Sequence, residues 1–216
     1  MTDFSPIKKL RLKEAFSGQA DFDAVNTENE FLNRLFEVIH YRGTIFVFDN
    51  KDTGHSTFIT DTKGIGSTRI LKVIKSINHD VFLWHIDGIM YKKGSKCDCA
   101  LLDNKILCFV EFKSEALKNP ESKISAKANY EKCQKQIELM LDEVLDKCKA
   151  IGINVMSVVE VKALAVFNKT VPASNATKTS FKRRFENKHK GVTFEFANEI
   201  KMFSSCKYDE ASWTTP

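Results

Sequence analysis

The chain has 216 residues, of which 43% are hydrophobic, 28% charged and 11% aromatic. That is enough apolar material for one substantial core and little for a second. Nine glycines and four prolines exclude fibrous and low-complexity chains, and the hydrophobic fraction excludes wholesale disorder. Lys+Arg 33 against Asp+Glu 28 leave a net charge of +5, and no apolar run approaches the length needed to span a membrane.

The N-terminus, MTDFSPIKKLRLKEAF, has no apolar h-region. Six cysteines, at positions 97, 99, 108, 133, 148 and 206, lie mostly inside apolar periodic stretches and fit no paired framework. They read as reduced thiols used as small hydrophobes. The expectation is a soluble, cytoplasmic, single-domain protein over residues 1–216.

In chain order, residues 1–25 read as an irregular lead-in, basic and then acidic. Thr27-Glu28-Asn29-Glu30 has the form of a capping box, with Thr27 as N-cap. Phe31, Leu32, Leu35, Phe36 and Ile39 then make a helical apolar stripe that Gly43 ends. Thr44 to Asp49 (TIFVFD) reads as a buried strand. A loop rich in Asp, Gly and Thr follows, and the spacing of Ile70, Leu71, Ile74 and Ile77 predicts a helix. KGIGST, residues 63–68, lacks the Lys-Ser/Thr ending of a phosphate-binding loop and is not read as one.

Val81 to Ile86 is a predicted strand, with a bend at Asp87-Gly88. KCDCALLDNKILCFVEFKSE predicts a hairpin of two apolar strands turning at Asp103-Asn104-Lys105. A long amphipathic helix is expected from Glu121 to Ala150, an apolar strand from Val155 to Phe167, and a last strand at VTFEF. No repeat and no linker marks a boundary. The order suggests an α/β fold with a mixed central sheet flanked by helices.

The positive charge is local. Residues 168–190 hold seven cations (Lys169, Lys178, Lys182, Arg183, Arg184, Lys188 and Lys190) against the single acid Glu186, so this block carries +6 and the rest of the chain −1. With Phe181 and Phe185 flanking Lys182-Arg183-Arg184, the block suits a nucleic-acid backbone, where cations release counterions and aromatics stack. The competing reading is a solvated basic loop with two core-anchoring phenylalanines.

The hairpin carries the chemistry. Side chains alternate along a strand, so Glu111 and Lys113 share one face while Val110 and Phe112 point the other way. On the partner strand Asp98 shares a face with Ala100 and Leu102, opposite Cys97 and Cys99. With Asn104 and Lys105 as central turn residues, Asp98 stands directly across from Glu111; a turn centred on Asp103 and Asn104 makes the pair diagonal. Opposed carboxylates among apolar neighbours are unfavourable without compensation. A divalent metal compensates: Mg²⁺ takes one or two carboxylates plus phosphate oxygens and waters. Lys113 can help neutralise the pair and position or activate a water, which implies metal-assisted attack on a phosphodiester. The alternative is an exposed Asp and a Glu–Lys pair on a half-solvated sheet face.

Asp98 followed across a hairpin by Glu111-Phe112-Lys113, with a glutamate-bearing helix before and a helix and strand after, resembles the PD-(D/E)xK (restriction-endonuclease-like) nuclease superfamily over residues 27–167. The resemblance implies an αβββαβ core in which Asp98 and Glu111 bind Mg²⁺ or Mn²⁺ and Lys113 assists the attacking water. It also implies a glutamate on the first helix, for which Glu28 points inward better than Glu30, and a glutamine on the following helix, Gln134 or Gln136. Cys97 takes the position that is customarily proline.

Glu-x-Lys also occurs at Glu121/Lys123, Glu160/Lys162, Glu186/Lys188 and Glu199/Lys201. Only Glu160/Lys162 lies in an apolar strand, and it lacks an aspartate on a paired strand. Cys97-x-Cys99 has no second ligand pair for zinc. His85 reads as a core histidine that could, with Asp87, support the site.

These observations predict a metal-dependent nuclease acting on DNA rather than RNA, with Lys178, Lys182, Arg183, Arg184, Lys188 and Lys190 as a backbone clamp. Specificity would come from a partner protein or substrate shape, and double-strand cleavage would favour a homodimer. The alternative is a nuclease-like fold without catalysis that binds nucleic acid or protein.

Overall fold

A computed structural model describes residues 5–17, 28–41, 43–63, 70–75, 80–92, 96–113, 123–167 and 175–202. Thr27, residues 64–69, Ile77, Glu121, Lys169 and Cys206 lie outside these. In chain order the elements are α1 (Ser5–Lys9), α2 (Leu12–Ala15), α3 (Glu28–Leu35), β1 (Phe36–Ile39), β2 (Thr44–Asn50), β3 (His55–Ile59), β4 (Ile70–Lys75), β5 (Val81–His85), β6 (Cys99–Leu102), β7 (Ile106–Lys113), α4 (Lys123–Ala150), α5 (Val155–Val158), β8 (Glu160–Phe167), α6 (Asn175–Lys188), β9 (Val192–Phe196) and β10 (Glu199–Met202).

The fold is mixed α/β with two mixed sheets. A six-stranded sheet runs β1-β5-β6-β7-β8-β9, and a four-stranded sheet runs β10-β4-β2-β3. In the larger sheet β1, β5, β6 and β7 pair antiparallel, whereas β7-β8 and β8-β9 are parallel. Helix α4 makes the crossover from β7 to β8. Both faces of the larger sheet are covered. Phe82, Trp84, Ala100, Leu102, Leu107, Phe109, Val161 and Ala163 pack with Ile137, Met140, Leu141 and Val144 of α4 and Phe181 and Phe185 of α6. The alternate residues, Val81, Leu83, Cys99, Leu101, Cys108, Val110, Leu164 and Val166, pack on Ile45, Val47, Leu71, Val73, Ile200 and Met202 of the smaller sheet. This two-sided burial explains why β7 reads as an almost continuous apolar run.

The hairpin register is the directly opposed one. Cys99 faces Val110 and Ala100 faces Phe109, so Asn104 and Lys105 are the central turn residues. Asp103 builds the turn, its Oδ1 accepting the Lys105 and Ile106 amides at 2.7 Å each.

Several expectations are corrected. The lead-in contains α1 and α2, and Ile7, Leu10, Leu12 and Phe16 in and beside them are buried in the helix-side core. The helix from residue 28 stops at Leu35, because Phe36 to Ile39 pair with β5 and Phe36 stacks on Trp84 at 5.3 Å. Ile70 to Lys75 is a strand: Leu71, Val73 and Lys75 are buried alternately, a period of two that cross-strand pairing with β2 selects over the helical spacing. The segment Val155 to Phe167 opens with the helical turn α5 before β8 starts at Glu160. The basic block is a helix over Asn175–Lys188, and β3 and β10 were not foreseen.

Among the described residues no helix is long and apolar enough to cross a membrane. Cys97, Cys99, Cys108, Cys133 and Cys148 are free and buried. Cys97 and Cys99 do not share a face: Cys97 packs on the helix side and Cys99 between the sheets, because β6 starts at Cys99 and alternation does not extend back to 97.

Candidate active site

The carboxyl end of β7 presents Glu111 and Lys113 on the helix-covered face, the face of Leu107 and Phe109. Glu111 is 1% exposed. Its Oε1 pairs with the Lys113 ammonium, while its Oε2 is buried with no hydrogen-bond partner. Asp98, in the residue before β6, accepts the Phe112 amide on Oδ2 at 2.5 Å. In return the Asp98 backbone supports the Glu111 carboxylate. The two acids are thus laced together by backbone donors from the partner strand.

Electrostatics reflect this crowding. Burial raises Glu111 well above the usual carboxylate range, with the nearby Asp98 adding to it and Lys113 opposing. The Lys113 contact does not reverse the direction, because a carboxylate with one oxygen unbonded in the interior is poorly solvated. Burial also raises Asp98, to about 7; the Phe112 amide and Lys113 oppose this, and Asp49 and Asp87 add to it. Asp87 is itself raised by burial. Its amide donates to the Asp98 carbonyl at 3.1 Å. The bend at Asp87-Gly88 rests on the β2–β3 turn: a Cβ on Gly88 would lie 2.0 Å from the Gly54 carbonyl oxygen, and Gly88 has φ +81.

The glutamines separate. Gln136 accepts from Lys113 Nζ at 2.5 Å and donates to the Lys96 carbonyl at 3.0 Å. Gln134, 4% exposed, instead donates to Glu138 at 3.1 Å and accepts from Arg184 at 3.0 Å, so it ties α4 to α6 and makes no bond to Lys113. Glu28 is the first residue of α3, and its side chain lies outside the described residues. Glu30 is exposed. The rival pattern makes an outward ion pair, Glu160–Lys162 at 3.2 Å, with Glu160 half exposed. His85 is buried between the sheets, edge-on to His55 at 4.8 Å and 3.6 Å from Glu37. Sequence reasoning passed over Lys96, Tyr91, Glu143 and Asp49, which act through contacts between distant segments.

No family model, curated protein or solved structure matches the chain.

Among the described residues no set of three or more His, Cys, Asp and Glu side chains is arranged to hold a metal ion. The unpartnered Glu111 Oε2 beside Asp98 nonetheless fits a hard divalent cation whose other ligands are waters and phosphate oxygens.

The basic helix differs from its expected role in two ways. Phe181 and Phe185 are buried, Phe181 edge-on to Tyr130 at 5.6 Å and Phe185 stacked on Phe194 at 4.7 Å, so neither can stack on a base. Their i, i+4 spacing makes them the buried stripe of α6. Part of the charge is neutralised within the protein. Lys188 pairs with Glu138 at 2.9 Å and Lys182 with Glu186 at 3.7 Å. Arg184 lies over the Phe181 ring at 4.7 Å and bonds Gln134, and Lys190 bonds Asn187 at 3.4 Å. Lys178 and Arg183 are left without an acidic partner among the described residues.

Proposed function

We propose that the protein is a Mg²⁺- or Mn²⁺-dependent nuclease that hydrolyses phosphodiester bonds in DNA. The observation carrying this reading is the buried, half-unbonded Glu111 carboxylate beside Asp98, with the Lys113 ammonium between Glu111 and Gln136. The chain order α3, β5-β6-β7 meander, α4, parallel β8 supports it too, since this is the αβββαβ order that the resemblance implies, here with β1 to β4 inserted after α3.

Asp98 and Glu111 would hold the cation, which when bound polarises a phosphoryl oxygen and lowers the pKa of a water. The protein's own groups do the positioning. The Phe112 amide leaves one Asp98 oxygen free of that bond, and Lys113 holds Glu111 Oε1, so the unbonded Oε2 would be left to hold the cation. Lys113 keeps a remaining N–H to orient the water or the scissile phosphate. Lys178 and Arg183, with Lys190, would contact the phosphate backbone by charge, giving salt-dependent binding with little sequence preference. Five buried free thiols suit a reducing, cytoplasmic compartment, and cutting both strands would need two copies.

The test is incubation of the protein with plasmid DNA, single-stranded DNA and RNA in Mg²⁺, Mn²⁺ or EDTA. Metal-dependent cleavage of DNA, lost in Asp98→Ala and Lys113→Ala, is expected. Absence of cleavage of every substrate by the wild-type protein overturns the reading and leaves a binding module.

A further inference from the structure

Lys113 carries its ammonium on a flexible four-carbon stem at a strand end, yet its position is set by two bonds. One is to Glu111 on its own strand; the other reaches across to the Gln136 amide on α4. An amide presents an acceptor or a donor depending on a flip of its terminal group. The Lys96 carbonyl decides the matter: it accepts Gln136 Nε2 at 3.0 Å, which turns Oε1 toward Lys113. With that carbonyl displaced, Gln136 could turn its donors to the ammonium and repel it.

The Lys96 backbone is held in turn by its own side chain. Lys96 Nζ bonds the Glu143 carboxylate and donates to the Leu139 carbonyl at 3.2 Å, and it lies 5.2 Å from the Tyr91 ring centre. The Tyr91 hydroxyl donates to Glu143 Oε1 at 2.6 Å. Glu143 therefore gathers Tyr91 and Lys96, the two sides of the segment leading into β6, onto α4. It lies seven residues beyond Gln136, two turns or about 10 Å along the same helix face.

We propose that Glu143 is a positioning residue for Lys113, acting through Lys96 and Gln136. This rests on the reading of Lys113 as the amine of a nuclease site. Glu143 touches no reacting group; it fixes which end of the Gln136 amide meets the ammonium.

The test has two arms. In the first, the ammonium resonance of Lys113 is followed by NMR in ¹⁵N-lysine protein and assigned by its loss in Lys113→Arg. Glu143→Ala should shift or broaden it to the position of a solvated lysine. Asp142→Ala, which removes the neighbouring acid facing Lys188 and His189, should leave it in place. Should Glu143→Ala not fold, Lys96→Met removes the same tether, keeps the backbone carbonyl and should release the signal alike. In the second arm, turnover of cleaved DNA at saturating metal should fall roughly 10- to 100-fold in Glu143→Ala, with KM and the active fraction held. Glu143→Gln, which still accepts from Tyr91 and Lys96, should recover most of the loss. An unmoved Lys113 resonance in the folded variants overturns the proposal, and so does an equal loss of turnover in Asp142→Ala. The first arm decides without cleavage, so its failure is distinct from a failure of the nuclease reading.

Discussion

The backbone of Asp98 supports the Glu111 carboxylate, while the amide of Phe112, the next residue after Glu111, donates to the Asp98 carboxylate at 2.5 Å. Two strands thus hold each other's acids inside the protein, where a second negative charge is unfavourable. Burial is the main cause that raises both acids, so an ionised Asp98 is unfavourable there. Asp98→Asn keeps an acceptor for the Phe112 amide and removes a charge. It should stabilise the metal-free protein at pH 8 by on the order of 1–3 kcal/mol, read as a raised Tm, and should abolish any rise in Tm that the proposed site predicts for the wild type on adding Mg²⁺.

The pH dependence follows from the same burial. Burial raises Asp98 from the ordinary 3.8 to about 7 in the folded protein. An acid raised on folding adds stability below its unfolded pKa and loses it as the pH rises through the folded one. The metal-free protein should therefore lose stability from this group as the pH rises from about 4 to 7, by at most about 4 kcal/mol. Urea denaturation across that window should show the slope in wild type and a flatter curve in Asp98→Asn.

His85 acts in the opposite sense. Burial, with His55 adding to it and the Ser56 backbone opposing, lowers it from 6.5 to about 4. A histidine held neutral costs stability as the pH falls from 6.5 through 4, because the unfolded chain takes the proton first. His85→Asn should remove an acid-side loss of on the order of 2–3 kcal/mol, so the two variants separate opposing limbs of one stability profile.

Helix α6 divides into anchors and charges. Phe185→Ala should destabilise the fold by about 3–5 kcal/mol, seen in denaturant unfolding. Removing the charges of Lys178, Arg183 and Lys190 should leave stability within about 0.5 kcal/mol. It should flatten the salt dependence of DNA binding by about 0.9 in logarithmic slope per lost phosphate contact.

The parts of the fold legible in the sequence are those where one local signal suffices. The run ILCFVEFK and the turn at Asp103 marked the hairpin, and alternation placed Glu111 with Lys113. The period of α4 was equally plain from Ile137, Met140, Leu141 and Val144. Short apolar runs misled because their spacing satisfies two periods at once. Ile70, Leu71 and Ile74 fit a helix, and pairing with β2 and β10 makes 70–75 a strand; Phe36 and Ile39 continue a helical stripe until β5 claims them. In the site, Gln134 and Gln136 project about 200° apart on one helix, but the sequence does not mark which of those directions meets β7. Their partners, Arg184 for one and Lys113 for the other, come from different elements. Glu143 and Tyr91 had no sequence mark at all, since what joins them is a contact across 52 positions.

The most direct measurement is Mn²⁺ binding by electron paramagnetic resonance in wild type, Asp98→Asn, Glu111→Gln and Glu160→Gln. One site per chain is expected in wild type and Glu160→Gln, and its loss in the two variants of the buried pair. Equal Mn²⁺ uptake by all four proteins would contradict the account, because the cation would then be bound without Asp98 and Glu111.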